Sequence, residues 1–359
     1  MSATVNDVPV GTRVEGVLLR AGAVLTAVVT GGLLVAATGH DPWFAYREMA
    51  VGALGSAYAV EQTVLKAIPL LLCALAVSLA FTAGLWNIGA EGQMAVGAIA
   101  ATWLALASEH LSAAFVLPSL LFLGVLGGAA WATIPGLLRV LFGINEILAT
   151  LMLNYVGLLL VDYLVFGAWA DPAAFTFPYS RPFPTSAHLP AVFGDVHMGL
   201  LFALLSAGAL WWVLRQTPWG YEVRVMGASA RTSRYAGIPV IRNVVIVMAL
   251  SGGLAGLAGA VEVAGALHRL QQGVSQGYGY VAIIVAWIAR LHPLGVVAVA
   301  VLMAALLNGG LAIQATGVPA AIAAILQALI LTFVLATERL VHRIRWRRAV
   351  AITRARGQP

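Results

Sequence analysis

Apolar runs of bilayer-spanning length recur along almost the whole of this chain, and they leave few folds open to it. A helix needs about 20 predominantly apolar residues to cross the hydrocarbon core. Runs of that kind occupy approximately residues 17–38, 64–84, 91–108, 114–140, 144–168, 197–214, 244–264, 278–291, 293–313 and 319–337. The eighth is short and flanked by Gly277 and Gly279, so it is expected to be broken or only partly spanning. Only 9% of the 359 residues are charged, against about 25% in soluble domains. So few charges cannot clothe a water-soluble globule. The expected fold is an all-α polytopic membrane protein with about ten transmembrane helices.

Basic residues orient these runs. Of the 20 Lys and Arg, one group (Arg215, Arg224, Arg231, Arg234, Arg242) sits in mid-chain and another (Arg339, Arg343, Arg345, Arg347, Arg348, Arg354, Arg356) closes it. Loops rich in Lys and Arg are retained on the cytoplasmic side of a membrane. Ten crossings put both termini there, make residues 215–243 cytoplasmic and leave 169–196 external. On that arrangement 16 of the 20 basic residues lie inside, and only Arg47, Lys66, Arg181 and Arg269 lie outside. The chain then divides into a cytoplasmic N-terminus (1–16), a transmembrane domain (17–338) with external segments 39–63 and 169–196, and a basic cytoplasmic tail (339–359). The stretch His40 to Gln62, with Pro42, Trp43, Tyr46 and Tyr58, reads as an external interfacial helix. A pI of about 9.8, with its charge beside apolar spans, fits lipid headgroups and a docked partner rather than nucleic acid. Span two runs inward and span seven outward, so spans 2–5 and 7–10 fit an inverted repeat with a transport site at the repeat interface.

Polar residues in apolar surroundings mark where chemistry is to be sought. Trp86 to Met94 places Asn87, Glu91 and Gln93 among glycines between two apolar runs. Polar backbone at membrane depth is tolerated only where it is buried in protein or lines a water-filled cavity. The segment is therefore either a broken helix lining a path or a cytoplasmic hairpin turn. Asn145 fits the cap of the next helix, with Glu146 in its first turn, whereas Asn154 and Tyr155 lie deep in that span and need partners. Gln271 to Tyr280 is a second Gly-rich polar break, containing Gln276, Tyr278 and Tyr280. Asn308, Gln314 and Gln327 read as helix–helix glue. The candidate path residues are thus Asn87, Glu91, Gln93, Asn154, Tyr155, Gln276, Tyr278 and Tyr280.

Catalytic constellations are missing from the sequence. The single lysine, Lys66, follows Leu65, so no Gly-Lys-Ser/Thr phosphate loop exists, and HExxH does not occur. The seven histidines are scattered, no metal-ligand spacing appears, and the lone Cys73 in an apolar run reads as a small buried hydrophobe. An enzyme is not expected. The basic mid-chain loop does show order. Glu222, Arg224 and Gly227 precede Ser229, Arg231, Thr232 and Arg234, and Gly237-Ile238-Pro239 is a stop, which together suggest a short Arg-bearing helix. It reads either as a docking element or as a topology signal without a partner.

The Asn87–Gln93 string, the Gly143–Thr150 segment with Asn154-Tyr155, and the Glu222–Pro239 loop together resemble the inner-membrane permeases of ABC importers. The likeness is to the ribose and simple-sugar branch, and within it to nucleoside-type permeases that work with basic-membrane-protein-family lipoprotein receptors. It covers roughly residues 15–340. It implies a bacterial plasma-membrane subunit forming half of a path for a nucleoside or simple sugar, paired with a second, related permease. A separate cytoplasmic ATPase would bind and hydrolyse ATP beneath residues 215–243, leaving this chain without cofactor, catalytic residue or metal. An extracytoplasmic receptor would deliver the solute. The coupling residues implied are Glu222, Arg224, Gly227, Arg231, Arg234, Gly237 and Ile238. A stand-alone ion-coupled secondary transporter is the alternative, since broken helices and inverted repeats suit it equally.

Overall fold

A computed structural model describes residues 11–108 and 110–319 and, in part, 321–336. The basic tail, Gln327 and part of the tenth apolar run therefore lie outside the described residues. The chain is built of helices α1 (Gly11–Ala37), α2 (Pro42–Leu54), α3 (Ala57–Thr82), α4 (Ala90–Ala107), α5 (Ala113–Phe142) and α6 (Glu146–Phe166). After a connection holding the hairpin β1 (Ala191–Phe193) and β2 (Val196–His197) come α7 (Gly199–Gln216), α8 (Pro218–Ala228), α9 (Ala230–Tyr235), α10 (Val240–Glu262), α11 (Tyr278–Ile288) and α12 (Pro293–Gln314). A π-helical turn, Val263–Leu267, extends α10.

Six described helices are long and apolar enough to cross a membrane: α3, α5, α6, α7, α10 with its π turn, and α12. The protein is thus an all-α polytopic membrane protein. With 11 residues α11 is too short to cross, as its flanking glycines led one to expect.

The described residues form two compact units, Val60–Ala305 and the flanking segments through Ala59 and from Leu306. In the flanking unit Asp41 caps α2 by accepting from the Trp43 amide (2.9 Å), with Pro42 at its first position. Val35, Ala45, Met49, Ile313, Val318, Ile322 and Leu326 share its core. Asn308 donates to the Gly52 carbonyl (3.1 Å), as helix–helix glue should, but Gln314 bonds the Gly310 carbonyl of its own helix. The stretch His40–Gln62 is not one helix. Gly55 ends α2, and residues from Ala57 are already the first turns of α3.

In the larger unit α3 and α10 are the enclosed helices: 78% and 67% of their most apolar stretches are buried, against 22% for α5 and α6. The contact of α10 with α4 and α5 is made by backbone. A Cβ added at Gly97 of α4 would collide with Gly256 of α10, and one at Gly128 of α5 with the Gly252 carbonyl. Lipid offers no hydrophobic drive to bring helices together, so association relies on such small-residue seams.

The long connection between α6 and α7 is laced to the chain that follows α10. Phe183 donates its amide to the His268 carbonyl (2.9 Å), Leu189 to Ala264 (2.8 Å) and Ser180 to Leu270 (2.8 Å). The hairpin tip is tied to α3, where Glu61 accepts from the Asp195 amide (3.2 Å).

Candidate functional site: a polar knot at two interrupted helices

Two places in the larger unit break helical geometry, and both are the polar breaks of the sequence. Gly84 ends α3 in the left-handed region (φ 73°), a conformation that costs glycine nothing. The chain then runs irregularly to Gly89, where α4 starts. Asn87, fully buried, stitches this turn: its Oδ1 accepts from the Gly89 amide (2.9 Å) and from Gln93 Nε2 (2.9 Å). Its Nδ2 donates to Gln93 Oε1 (3.0 Å) and to Ser251 of α10 (2.9 Å). Asn154 of α6, also fully buried, accepts from the Gly92 amide (2.8 Å) and donates to the Ile88 carbonyl (2.8 Å). The first turn of α4 is thereby fastened to α6 and α10 by side chains that replace the missing helix ladder.

The second break lies between the π turn and α11. His268, Gly273, Gln276 and Gly277 all have positive φ, which turns backbone amides toward α4. There Glu91, 3% exposed, accepts from Ser275 Oγ (2.6 Å) and from the amides of Gly277 (2.9 Å) and Gly279 (2.7 Å). Gly277, at the N-terminal boundary of α11, offers no capping side chain of its own. A carboxylate distant in sequence performs that task, at the positive end of the helix dipole. Gly279 has no side chain because a Cβ there would collide with the Glu91 backbone.

The expected path residues are thus distributed unevenly. Asn87, Glu91, Gln93 and Asn154 form one hydrogen-bonded knot, and Tyr280 touches its edge through a bond from Asn154 Nδ2 to its hydroxyl (3.4 Å). Tyr278 is buried nearby. Gln276 contributes backbone, with its side chain exposed, and Tyr155 lies 56% exposed on the outer face of α6. Among the residues sequence reasoning passed over, Ser251, Ser275 and Thr150 complete the knot, the last accepting from the Ile88 amide (3.3 Å). Ser275 and Thr150 do lie in segments the sequence marks, whereas Ser251 is a single hydroxyl in an apolar run, too common a feature to single out. Glu146 follows the expected cap of Asn145 (2.9 Å to the Ile147 amide) and pairs with Arg139.

The ordered element expected between Glu222 and Ile238 is two helices. Thr217 caps α8 (3.0 Å from the Gly220 amide), Ser229 caps α9 (3.2 Å from Thr232), and Gly237 (φ 71°) follows. Gly220, Val223 and Met226 face inward, while Arg224, Arg231 and Arg234 are exposed. Glu222 accepts from Asn243 of α10 (2.8 Å), with Arg242 at 3.9 Å. Gly227 makes a close contact within the chain: a Cβ there would collide with the Thr82 carbonyl, and its backbone lies against Gly84. The α8 helix therefore abuts the start of the Asn87 break.

Spans, small-residue seams and a broken-helix centre define a polytopic membrane protein with a polar core. Residues 59–335 match the family described as branched-chain amino acid transport system / permease component, and the chain belongs to that family. It is 36% identical over 328 residues to the glucose ABC transporter permease protein TsgB13 of Haloferax volcanii, covering 88% of this chain and 86% of that one. It is 33% identical over 336 residues to the guanosine ABC transporter permease protein NupP of Bacillus subtilis (90% and 94%). To the nucleoside ABC transporter permease protein NupB of Lactococcus lactis it is 28% identical over 322 residues (87% and 88%). The chain is accordingly a permease subunit of an ABC importer and not an enzyme.

Proposed function

We propose that this subunit forms half of the path for a nucleoside, with a simple sugar as the second solute class, in the plasma membrane of a bacterium. The observation that carries the reading is the pairing of two interrupted helices, α4 and α11, across Glu91, since discontinuous helices are where transporters build solute sites. Two relatives transport guanosine and nucleosides by name, which favours a nucleobase. Phe81, Trp86 and Trp287, with ring centroids 5.0–6.0 Å apart, and the partly exposed Tyr280 supply stacking faces for one. The sugar reading is favoured by the glucose permease relative.

The chain has no phosphate loop, so ATP is bound and hydrolysed by a separate cytoplasmic ATPase, which we place under α8 and α9. Their exposed Arg224, Arg231 and Arg234 offer it positive charge. A second permease, different in sequence, completes the path, and an extracytoplasmic lipoprotein receptor delivers the solute toward the α6–α7 connection. Ten crossings, cytoplasmic termini and an inverted repeat of spans 2–5 and 7–10 belong to the same reading, supported by the basic asymmetry. Asn87, Glu91, Gln93 and Asn154 then position the break, and Tyr278 and Tyr280 stand closest to the solute.

Reconstitution with the neighbouring ATPase and receptor tests this. ATP-dependent accumulation of guanosine or glucose is expected. Accumulation driven by a proton or sodium gradient without ATP would establish the secondary-transporter alternative instead.

A further inference from the structure

Histidines of the larger unit gather on one short stretch of chain. That stretch is Ala264–His268, where the π turn ends and to which the α6–α7 connection is laced. His188, on the connection, stacks on His268 with ring centroids 3.9 Å apart and planes 25° from parallel. Its Nε2 lies 3.2 Å from the Phe183 carbonyl and therefore carries the hydrogen there. His197, on β2, is buried with its ring against Gly265, where an added Cβ would collide with it. Gly265 is bare because an imidazole fills the place.

The bonding of His197 leaves no place for a second proton. Its Nδ1 accepts from the Gly199 amide (3.1 Å), so Nε2 holds the hydrogen of the neutral ring, and Nε2 has no partner among the described residues. A proton added at Nδ1 would set one N–H against another and break that bond. The stacked pair resists charge for a different reason. Two imidazolium rings 3.9 Å apart repel, and Arg269 already holds a guanidinium nearby, 5.1 Å over the Tyr179 ring. The carboxylate of Glu61 is spent at the hairpin tip, on the Asp195 amide. Burial first, and then these neighbouring cations, hold His268 below its ordinary pKa. Burial and His268 hold His197 at about 4.

We propose that His188, His268 and His197 form an acid-sensitive clasp: uncharged, they hold the α6–α7 connection on the chain that follows α10, and protonated, they release it. The bonds released run from the Phe183, Leu189 and Ser180 amides to the carbonyls of His268, Ala264 and Leu270. Protonation of clustered histidines at about pH 5–6 opens packed interfaces in just this way. His197 and His268 are harder to protonate here than in a released chain. The clasp is therefore at full strength above about pH 6.5 and weakens as pH falls toward 4. In the orientation proposed above it faces the extracytoplasmic solution, but its action does not depend on which solute is carried.

The test is hydrogen exchange of the full chain in lipid nanodiscs at pH 7.5 and pH 5.0, expressed as protection factors so that the chemical exchange rate cancels. Protection of the Phe183 and Leu189 amides should fall by about tenfold or more at the lower pH, since one pKa unit of difference between closed and open states is a tenfold change in opening. Amides in the middle of α10, Val247 to Gly259, should keep their protection. His188→Phe combined with His197→Phe removes two of the charges while keeping flat rings, and should hold the fall to about threefold or less. A smaller fall in the wild type than stated, or a larger one in the double variant, overturns the proposal. Loss of protection in α10 in step with Leu189 also overturns it, because the whole fold and not the clasp would then be yielding. Should the double variant fail to insert, His268→Asn decides by the same criterion, since asparagine also accepts the left-handed backbone at that position (φ 54°).

Discussion

Glu91 illustrates how a carboxylate is made tolerable at membrane depth: every strong donor around it is aimed at it before any solute arrives. Glu91→Gln keeps the shape but turns one acceptor into a donor facing an amide. The expected cost is about 1.5–3 kcal/mol, the usual worth of hydrogen bonds to a charged group. It is read as faster hydrogen exchange at the Gly277 and Gly279 amides, together with lost uptake. Unchanged exchange there would remove the latch from the account. A second single-residue effect lies in the α6–α7 connection. His197 is 2% exposed, its Nδ1 accepts from the Gly199 amide (3.1 Å), and its Nε2 has no partner among the described residues. Burial, with His268 nearby, lowers its pKa to about 4. Between its ordinary value of about 6.5 and that depressed one, the unfolded chain binds a proton that the folded chain refuses. Stability should therefore fall as pH drops through that window, by about 2 kcal/mol. His197→Phe should flatten the melting profile below pH 6.5, and an equally steep profile in the variant would argue against His197.

Among the elements, α8 carries the sharpest expectation. Its inward face is Gly220, Val223 and Met226, and Gly227 rests on the Thr82 carbonyl. Gly227→Leu must lift α8 from the end of α3. The variant should insert normally, lose its ATPase on purification and stop transporting. Retained co-purification with normal uptake would show that the α8 position does not matter for assembly. Single Arg224→Ala or Arg231→Ala changes should weaken assembly only slightly, because exposed charge pairs contribute ~0.2–1 kcal/mol. The capping signals of this region were legible in sequence, since Thr217, Ser229 and Gly237 are local chemistry. What lies under Gly227 was not, because a glycine in sequence shows that something is close but never what. The same limit explains Tyr155: next to the buried Asn154, it points elsewhere because neighbours on a helix are about 100° apart.

Among the described residues, the apolar runs anticipated where helices lie, with ends displaced by up to seven residues, because burial length and hydropathy are properties of a segment. The two interruptions were also visible, as glycines with amides and carboxyls between apolar runs. Their mutual contact was not, for Glu91 and Gly279 are brought together only by tertiary folding. Orientation is the global property most open to test. Thr232→Cys in a Cys73→Ser background should resist an impermeant thiol reagent in intact cells, whereas Phe175→Cys, at a position 96% exposed, should react. The opposite pattern would invert the topology.

The nearness of Gly227 to Gly84 has a mechanical meaning. From Gly84 to Asn87 the chain can span no more than about 10 Å even if stretched, and Asn87 is bonded at both ends of its amide. A push received by α8 meets a short strut with no slack loop to absorb it. Any displacement of α8 would bear on a chain of hydrogen bonds that runs from Asn87 to Gln93 in the first turn of α4, and from Glu91 beside it to the amides that open α11.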